Sequence, residues 1–167
     1  AIKKSERVLV MGDGKLALLC AFVLKLTGCE LTVVGKHMDK LLKLKDIKVK
    51  TVLIDDLKSK EFDVVVEATG SSGGISTALT LVRPRGTVIL KSTVRSNRVA
   101  DLNKAVIDEI TIIGSRCGPF KEALRALKEK KLDVTRLIEE TYPLEEGVKA
   151  IKHAKIKGTL KVLIKND

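Results

Sequence analysis

The residues best placed to do chemistry are Gly12-Asp13-Gly14-Lys15-Leu16-Ala17, directly after the apolar run Val8-Leu9-Val10-Met11. The spacing fits G-x-G-x-x-G/A, with Ala17 in the third place. Gly12 permits a tight turn. Gly14 has no Cβ, so a pyrophosphate can approach its backbone. Ala17 is small enough for a helix to pack closely on a strand. The helix that begins here would offer free N–H groups and the positive end of its dipole, which favour an anion. We therefore expect Gly12, Asp13, Gly14, Lys15 and Leu16 to hold the diphosphate of a dinucleotide. The motif alone is weak, but here it follows a strand, opens a helix and lies in a strand-helix-strand unit over residues 7–34. The competing reading is a structural turn in another α/β domain, such as a methyltransferase or a nucleotide sensor.

The end of the second strand bears on which dinucleotide. An NAD-specific site usually places Asp or Glu there to accept the adenosine ribose 2′-hydroxyl. Here the segment is Val33-Val34-Gly35-Lys36-His37, and Gly35 takes the acidic place. Glu30 begins that strand and Asp39 comes later, so neither is well placed. Lys36, His37 and Lys40 follow Gly35 at once. Loss of the carboxylate removes repulsion toward a 2′-phosphate, and the basic side chains can pair with it. The expectation is NADP(H) in preference to NAD(H).

The elements that must position these residues alternate. Strands are expected at Arg7–Met11, Glu30–Val34, Val49–Ile54, Phe62–Glu67, Gly86–Lys91, Glu109–Ile113 and Leu160–Lys165. Helices are expected at Lys15–Leu26, Met38–Lys45, Ile75–Val82 with a break at Pro84, Phe120–Lys130 and Leu144–Ala154. The strands are nearly continuous Val, Ile and Leu, as strands buried on both faces should be. Alternation of this kind means a doubly wound parallel sheet in three α/β/α layers, the Rossmann architecture. The chain divides into a core over 1–114 and a helix-strand segment over 115–167.

Composition sets the outer limits. A chain of 167 residues is one domain in size and long enough to bury a core. With three Phe, one Tyr and no Trp, that core must be aliphatic, and a base-stacking surface for single-stranded nucleic acid is not expected. No apolar run reaches the roughly 18 residues a membrane helix needs. The three cysteines are odd in number and widely spaced, and the two histidines are far apart, so neither a disulfide framework nor a metal cluster is expected. The chain reads as cytoplasmic. Its net charge of +11 favours an anionic partner, and a phosphorylated cofactor satisfies it without nucleic acid.

Taken in order, these pieces resemble the coenzyme-binding domain of the medium-chain dehydrogenase/reductases, the zinc-type alcohol dehydrogenase superfamily. The resemblance rests on the glycine loop, then Asp63-Val64-Val65-Val66-Glu67-Ala68-Thr69-Gly70, then Arg83-Pro84-Arg85-Gly86-Thr87. It continues through Ile110 to Arg116 and the tail from Tyr142-Pro143-Leu144 to Val162. It implies that Ala68, Thr69 and Gly70 lie beside the cofactor. It also implies that Ser92 faces the nicotinamide end and that Lys161 reaches the coenzyme phosphates. The family's catalytic zinc, structural-zinc cysteines and proton relay belong to an N-terminal catalytic domain that this chain does not hold. The chain is then expected to bind a dinucleotide without catalysing alone, to partner that catalytic domain, and to form a homodimer. A short-chain dehydrogenase is excluded because Tyr142, the one tyrosine, is followed four residues later by Glu146 rather than Lys. A quinone-reductase-like relative stays open, as does a non-catalytic nucleotide-sensing module.

Overall fold

The structure is a computed structural model and describes residues 2–58, 60–94 and 100–166. Its centre is a six-stranded sheet built from β1 (Arg7–Met11), β2 (Glu30–Gly35), β3 (Lys50–Leu53), β4 (Phe62–Glu67), β5 (Val82–Leu90) and β6 (Thr111–Gly114). The strand order is β3-β2-β1-β4-β5-β6, and every neighbouring pair runs parallel. The order reverses between β1 and β4, so a crevice opens at their C-terminal ends, where such sheets bind ligands. The doubly wound parallel fold read from the sequence is the one observed.

Burial on both faces explains why the central strands β1, β2 and β4 are mostly apolar. Val8 and Val10 face one side of the sheet, with Val33, Val64 and Val66. There they meet Leu18, Ala21 and Phe22 of α1 (Lys15–Lys25). Leu9 and Met11 face the other side, with Val34, Val65 and Val88, against Ile75 and Leu79 of α3 (Gly74–Leu81). Both faces of β1 are buried, and each fully buried Leu or Val contributes about 1.5–3 kcal/mol. That burial fixes β1, and β1 carries the glycine loop.

Several elements differ from the sequence expectation. The helix expected over Met38–Lys45 is one turn of α2 (Met38–Leu41) continued as 3₁₀ helix to Ile47. The strand expected to begin at Gly86 begins at Val82 and passes through Pro84. Proline can be accommodated because the register with β4 jumps from Phe62–Val82 to Val64–Thr87, leaving residues 83–86 bulged. Asp63 clamps the bulge: its Oδ1 accepts from Arg83 Nε at 2.7 Å and its Oδ2 from the Arg7 backbone N–H at 2.7 Å. A short α4 (Asn103–Ile107) precedes β6 and was not expected.

Beyond β6 come α5 (Phe120–Lys128), β7 (Ile138–Pro143), α6 (Gly147–Ala154) and β8 (Lys161–Lys165). β7 was not expected. It pairs with β8 in a separate two-stranded parallel sheet. Leu137 and Leu160, just before the two strands, are buried in the same core cluster as α1. The Arg136 guanidinium lies 6.0 Å from the Phe22 ring centroid and bonds Asp46 at 2.8 Å, tying this segment to the main sheet. No helix among the described residues is long and apolar enough to cross a membrane.

Candidate dinucleotide site

The crevice begins where β1 ends. Gly12 takes φ +126°, and a Cβ there would stand 2.6 Å from the Ala68 carbonyl oxygen. Only glycine lets the β1–α1 turn approach the end of β4 so closely. The Gly12 N–H donates to Val34 O at 2.8 Å and the Ala68 N–H to Met11 O at 2.9 Å, which stitches the ends of β1, β2 and β4 together. Gly14 differs: a Cβ built on it would meet nothing within 4 Å, so its face is open. Gly14 is the N-cap of α1, with no side-chain cap bond and no acidic residue in the first turn. The first N–H groups of α1 are therefore left for an anion.

A cavity of about 330 Å³ lies in this crevice, lined among others by Gly12, Asp13, Lys36, His37, Thr69 and Gly74. Of the expected site residues, Gly12, Asp13, Gly35, Lys36, His37 and Thr69 meet there. Gly14, Lys15 and Leu16 form the adjoining start of α1 without lining the cavity. Ala68 is buried beneath the loop, and Gly70 is exposed beside it. Ser92 Oγ accepts from the Gly70 N–H at 2.8 Å, so the loops after β4 and β5 are joined. Two residues stand apart. Lys40 Nζ lies 3.5 Å from the Cβ position of Gly158, and Lys161 is an exposed residue of β8 paired with Ile138. Neither lines the cavity.

The end of β2 corrects a premise of the sequence reading. No acid occupies position 35, but a carboxylate occupies the space. Asp13 Oδ2 accepts from the Lys36 N–H at 2.6 Å and the His37 N–H at 2.8 Å, and lies 2.9 Å from His37 Nδ1. A Cβ on Gly35 would fall 2.6 Å from Asp13 Cβ and 2.7 Å from its Oδ2. Position 35 is glycine because Asp13 fills the place of its side chain. Burial pushes the Asp13 carboxyl up. The hydrogen bonds from the His37 ring and from the His37 and Lys36 backbone outweigh this and hold it below the ordinary value.

Glu67 stands just before Ala68 and Thr69 at the border of the crevice. It is fully buried at the end of β4. Its Oε1 accepts from the Thr69 N–H at 2.9 Å, the Thr69 hydroxyl at 2.6 Å and the Ser92 hydroxyl at 3.1 Å. A buried carboxylate must be hydrogen-bonded to be tolerated, and these bonds fix the two loops that border the crevice. A Cβ on Gly74 would fall 2.6 Å from Thr69 Oγ1, so α3 also needs glycine at its start. Among the described residues, no three His, Cys, Asp or Glu stand together as a metal site. All three cysteines are free thiols.

Open first-turn N–H groups, a glycine-lined turn and a cavity at the strand reversal fit a dinucleotide, and they define a Rossmann-type dinucleotide-binding domain. Residues 2–165 match the family described as the glucose dehydrogenase C-terminus, and the chain belongs to that family. This is a coenzyme-binding domain of the zinc-type dehydrogenases, as the resemblance implied. The chain is 25% identical over 183 aligned positions to sorbitol dehydrogenase of Mus musculus, covering 100% of this chain and 51% of that protein. It is 30% identical over 161 positions to ribulose-5-phosphate reductase of Streptococcus pneumoniae, covering 91% of this chain and 46% of that protein. It thus spans about half the length of these relatives. Several solved structures share the fold, among them these two with a cofactor bound. An Escherichia coli alcohol dehydrogenase complexed with NADH has a TM-score of 0.87 at 19% identity, over 97% of this chain and 52% of that one. Staphylococcus aureus TarJ in complex with NADPH has a TM-score of 0.87 at 17% identity, over 99% of this chain and 57% of that one.

Proposed function

We propose that this chain is the NADP(H)-binding domain of an alcohol or polyol dehydrogenase whose catalytic domain lies outside it. The observation that carries the reading is the crevice at the β1–β4 reversal, with Gly12 pressed against Ala68 and the face of Gly14 left open. The Gly12–Leu16 segment would take the diphosphate. Lys36 and His37 would take the 2′-phosphate. Thr69, Gly70 and Ser92 would border the nicotinamide end. Lys40 and Lys161 have a weaker claim, because neither lines the cavity.

NADP(H) is favoured over NAD(H) by the basic pair that follows Gly35. Asp13 accepts from the Lys36 and His37 N–H groups and so holds the turn that presents this pair. In the whole enzyme, hydride would pass between nicotinamide C4 and the carbinol carbon while the alcohol oxygen loses its proton. A zinc ion held by the catalytic domain would polarise that oxygen. The substrate class is a polyol or sugar, by likeness to the relatives named above.

Residues 1–114 would form the nucleotide core and 115–167 the segment that returns toward the catalytic domain. The exposed Leu144, Val148, Ile151 and Ile164 of that segment suit such a contact. The outer edge of β6, last in the strand order, with Ile112 and Ile113 exposed, suits a homodimer. Unpaired thiols suit the cytoplasm. Calorimetric titration of the chain with NADPH and with NADH tests the cofactor assignment. Tighter NADPH binding is expected, and equal or tighter NADH binding overturns the preference.

A further inference from the structure

Resting on the dinucleotide reading above, we propose that Asp13 of the glycine loop is the residue that reads the adenosine ribose 2′ position, in place of an acid at the end of β2. The geometry is a transposition. The carboxylate that other such folds carry on the strand is here carried by the loop that packs against it. The strand has given up its own side chain to make room: a Cβ on Gly35 would fall 2.6 Å from Asp13 Cβ. All three hydrogen bonds described for Asp13 fall on Oδ2, two of them from the backbone of Lys36 and His37. The side chain is therefore locked, and Oδ1 remains as the acceptor on a residue that lines the cavity. The Asp13 side chain is only 14% exposed.

A 2′-hydroxyl can donate to a carboxylate oxygen, whereas a 2′-phosphate offers only acceptors and negative charge. Asp13 thus favours the unphosphorylated ribose, while Lys36 and His37 favour the phosphorylated one. Discrimination at this site is the difference between the two effects, and Asp13 limits it. The same carboxylate holds the turn that presents the two basic side chains, so its charge and its position are separable only by substitution.

The test is calorimetric titration with NADH and NADPH of four forms of the chain: wild type, Asp13→Asn, Gly35→Asp, and the double variant Asp13→Gly/Gly35→Asp. Asparagine keeps an acceptor for the Lys36 and His37 N–H groups but loses the charge. Asp13→Asn is expected to lower the ratio of NADH affinity to NADPH affinity by about tenfold. Gly35→Asp alone forces two side chains into one space and is expected to lose stability and both ligands. The double variant returns the carboxylate from the strand and is expected to bind NADH within about threefold of wild type.

If Asp13→Asn keeps the wild-type circular dichroism spectrum and changes both affinities by the same factor, or neither, the proposal is overturned. If that variant does not fold, the double variant decides, and a folded double variant that binds NADPH but not NADH overturns it. Failure of the wild type to bind either cofactor is a different result. It removes the dinucleotide reading and this proposal with it.

Discussion

Gly12 and Gly14 share a loop but are glycine for different reasons, and two substitutions separate them. Gly12→Ala must place a Cβ against the Ala68 carbonyl at φ +126°, so it should cost about 1–3 kcal/mol in urea unfolding. Gly14→Ala has open space and an extended φ of −80°, so its stability should change by less than about 1 kcal/mol. Its NADPH affinity should nonetheless fall roughly tenfold, the worth of one charge-assisted hydrogen bond. Equal stability of the two variants would contradict this account. Asp63 makes a prediction in pH. Its carboxyl is held below the ordinary value by the Arg7 backbone N–H first and the Arg83 side chain second. A depressed folded value means stability that is present above the unfolded value of about 3.9 and lost as pH falls through the folded one. Asp63→Asn should therefore lower stability at neutral pH by about 1 kcal/mol. The difference from wild type should vanish in acid, and unfolding curves at the two pH values read both. At this scale the turn between β1 and α1 was legible, because the glycine spacing states its own geometry. Asp13 was not. Its partners lie more than twenty positions away, and only the packing of loop on strand shows that Gly35 has handed over its space.

The elements were legible in proportion to their burial. β1, β2 and β4 are mostly apolar, and the sequence places them within a residue of where they stand. β7 was missed because Glu139, Glu140 and Thr141 are exposed, so no apolar alternation marks it. α4 was missed because it is barely more than one turn and none of its residues is buried. β5 was shortened on account of Pro84, whose bulge depends on a clamp from Asp63 that no local rule contains. The C-terminal strand pair hangs on Leu137 and Leu160, both buried in the core cluster with α1. Leu160 is 2% exposed and Leu144 is 56% exposed. Leu160→Ala should cost about 2–5 kcal/mol, and Leu144→Ala should change stability by less than about 0.5 kcal/mol. Hydrogen exchange should show early opening of β7 and β8 in the first variant. Intact protection there would show that Arg136 and its partners hold the segment without the core contact.

As a whole, the molecule has the strand reversal and the glycine turn of a nucleotide domain, and apolar surfaces on two sides. Val106, Ile107, Ile112 and Ile113 are exposed around the β6 edge. Self-association through that edge is expected to raise the sedimentation coefficient with concentration, and Ile113→Lys should reduce it. A strict monomer at high concentration would contradict the edge contact while leaving the nucleotide site untouched. The family was legible because its segments recur in order along nearly the whole chain. The substrate was not, because the residues that would contact it are expected in the other half of the relatives. The central claim is that this chain holds a dinucleotide in the crevice between β1 and β4. Its most direct test is an amide-resolved NMR titration with NADPH. The largest shifts should fall at Gly12, Asp13, Gly14, Lys36, His37 and Thr69. Saturating shifts confined to β7, α6 and β8, or none at all, would contradict it.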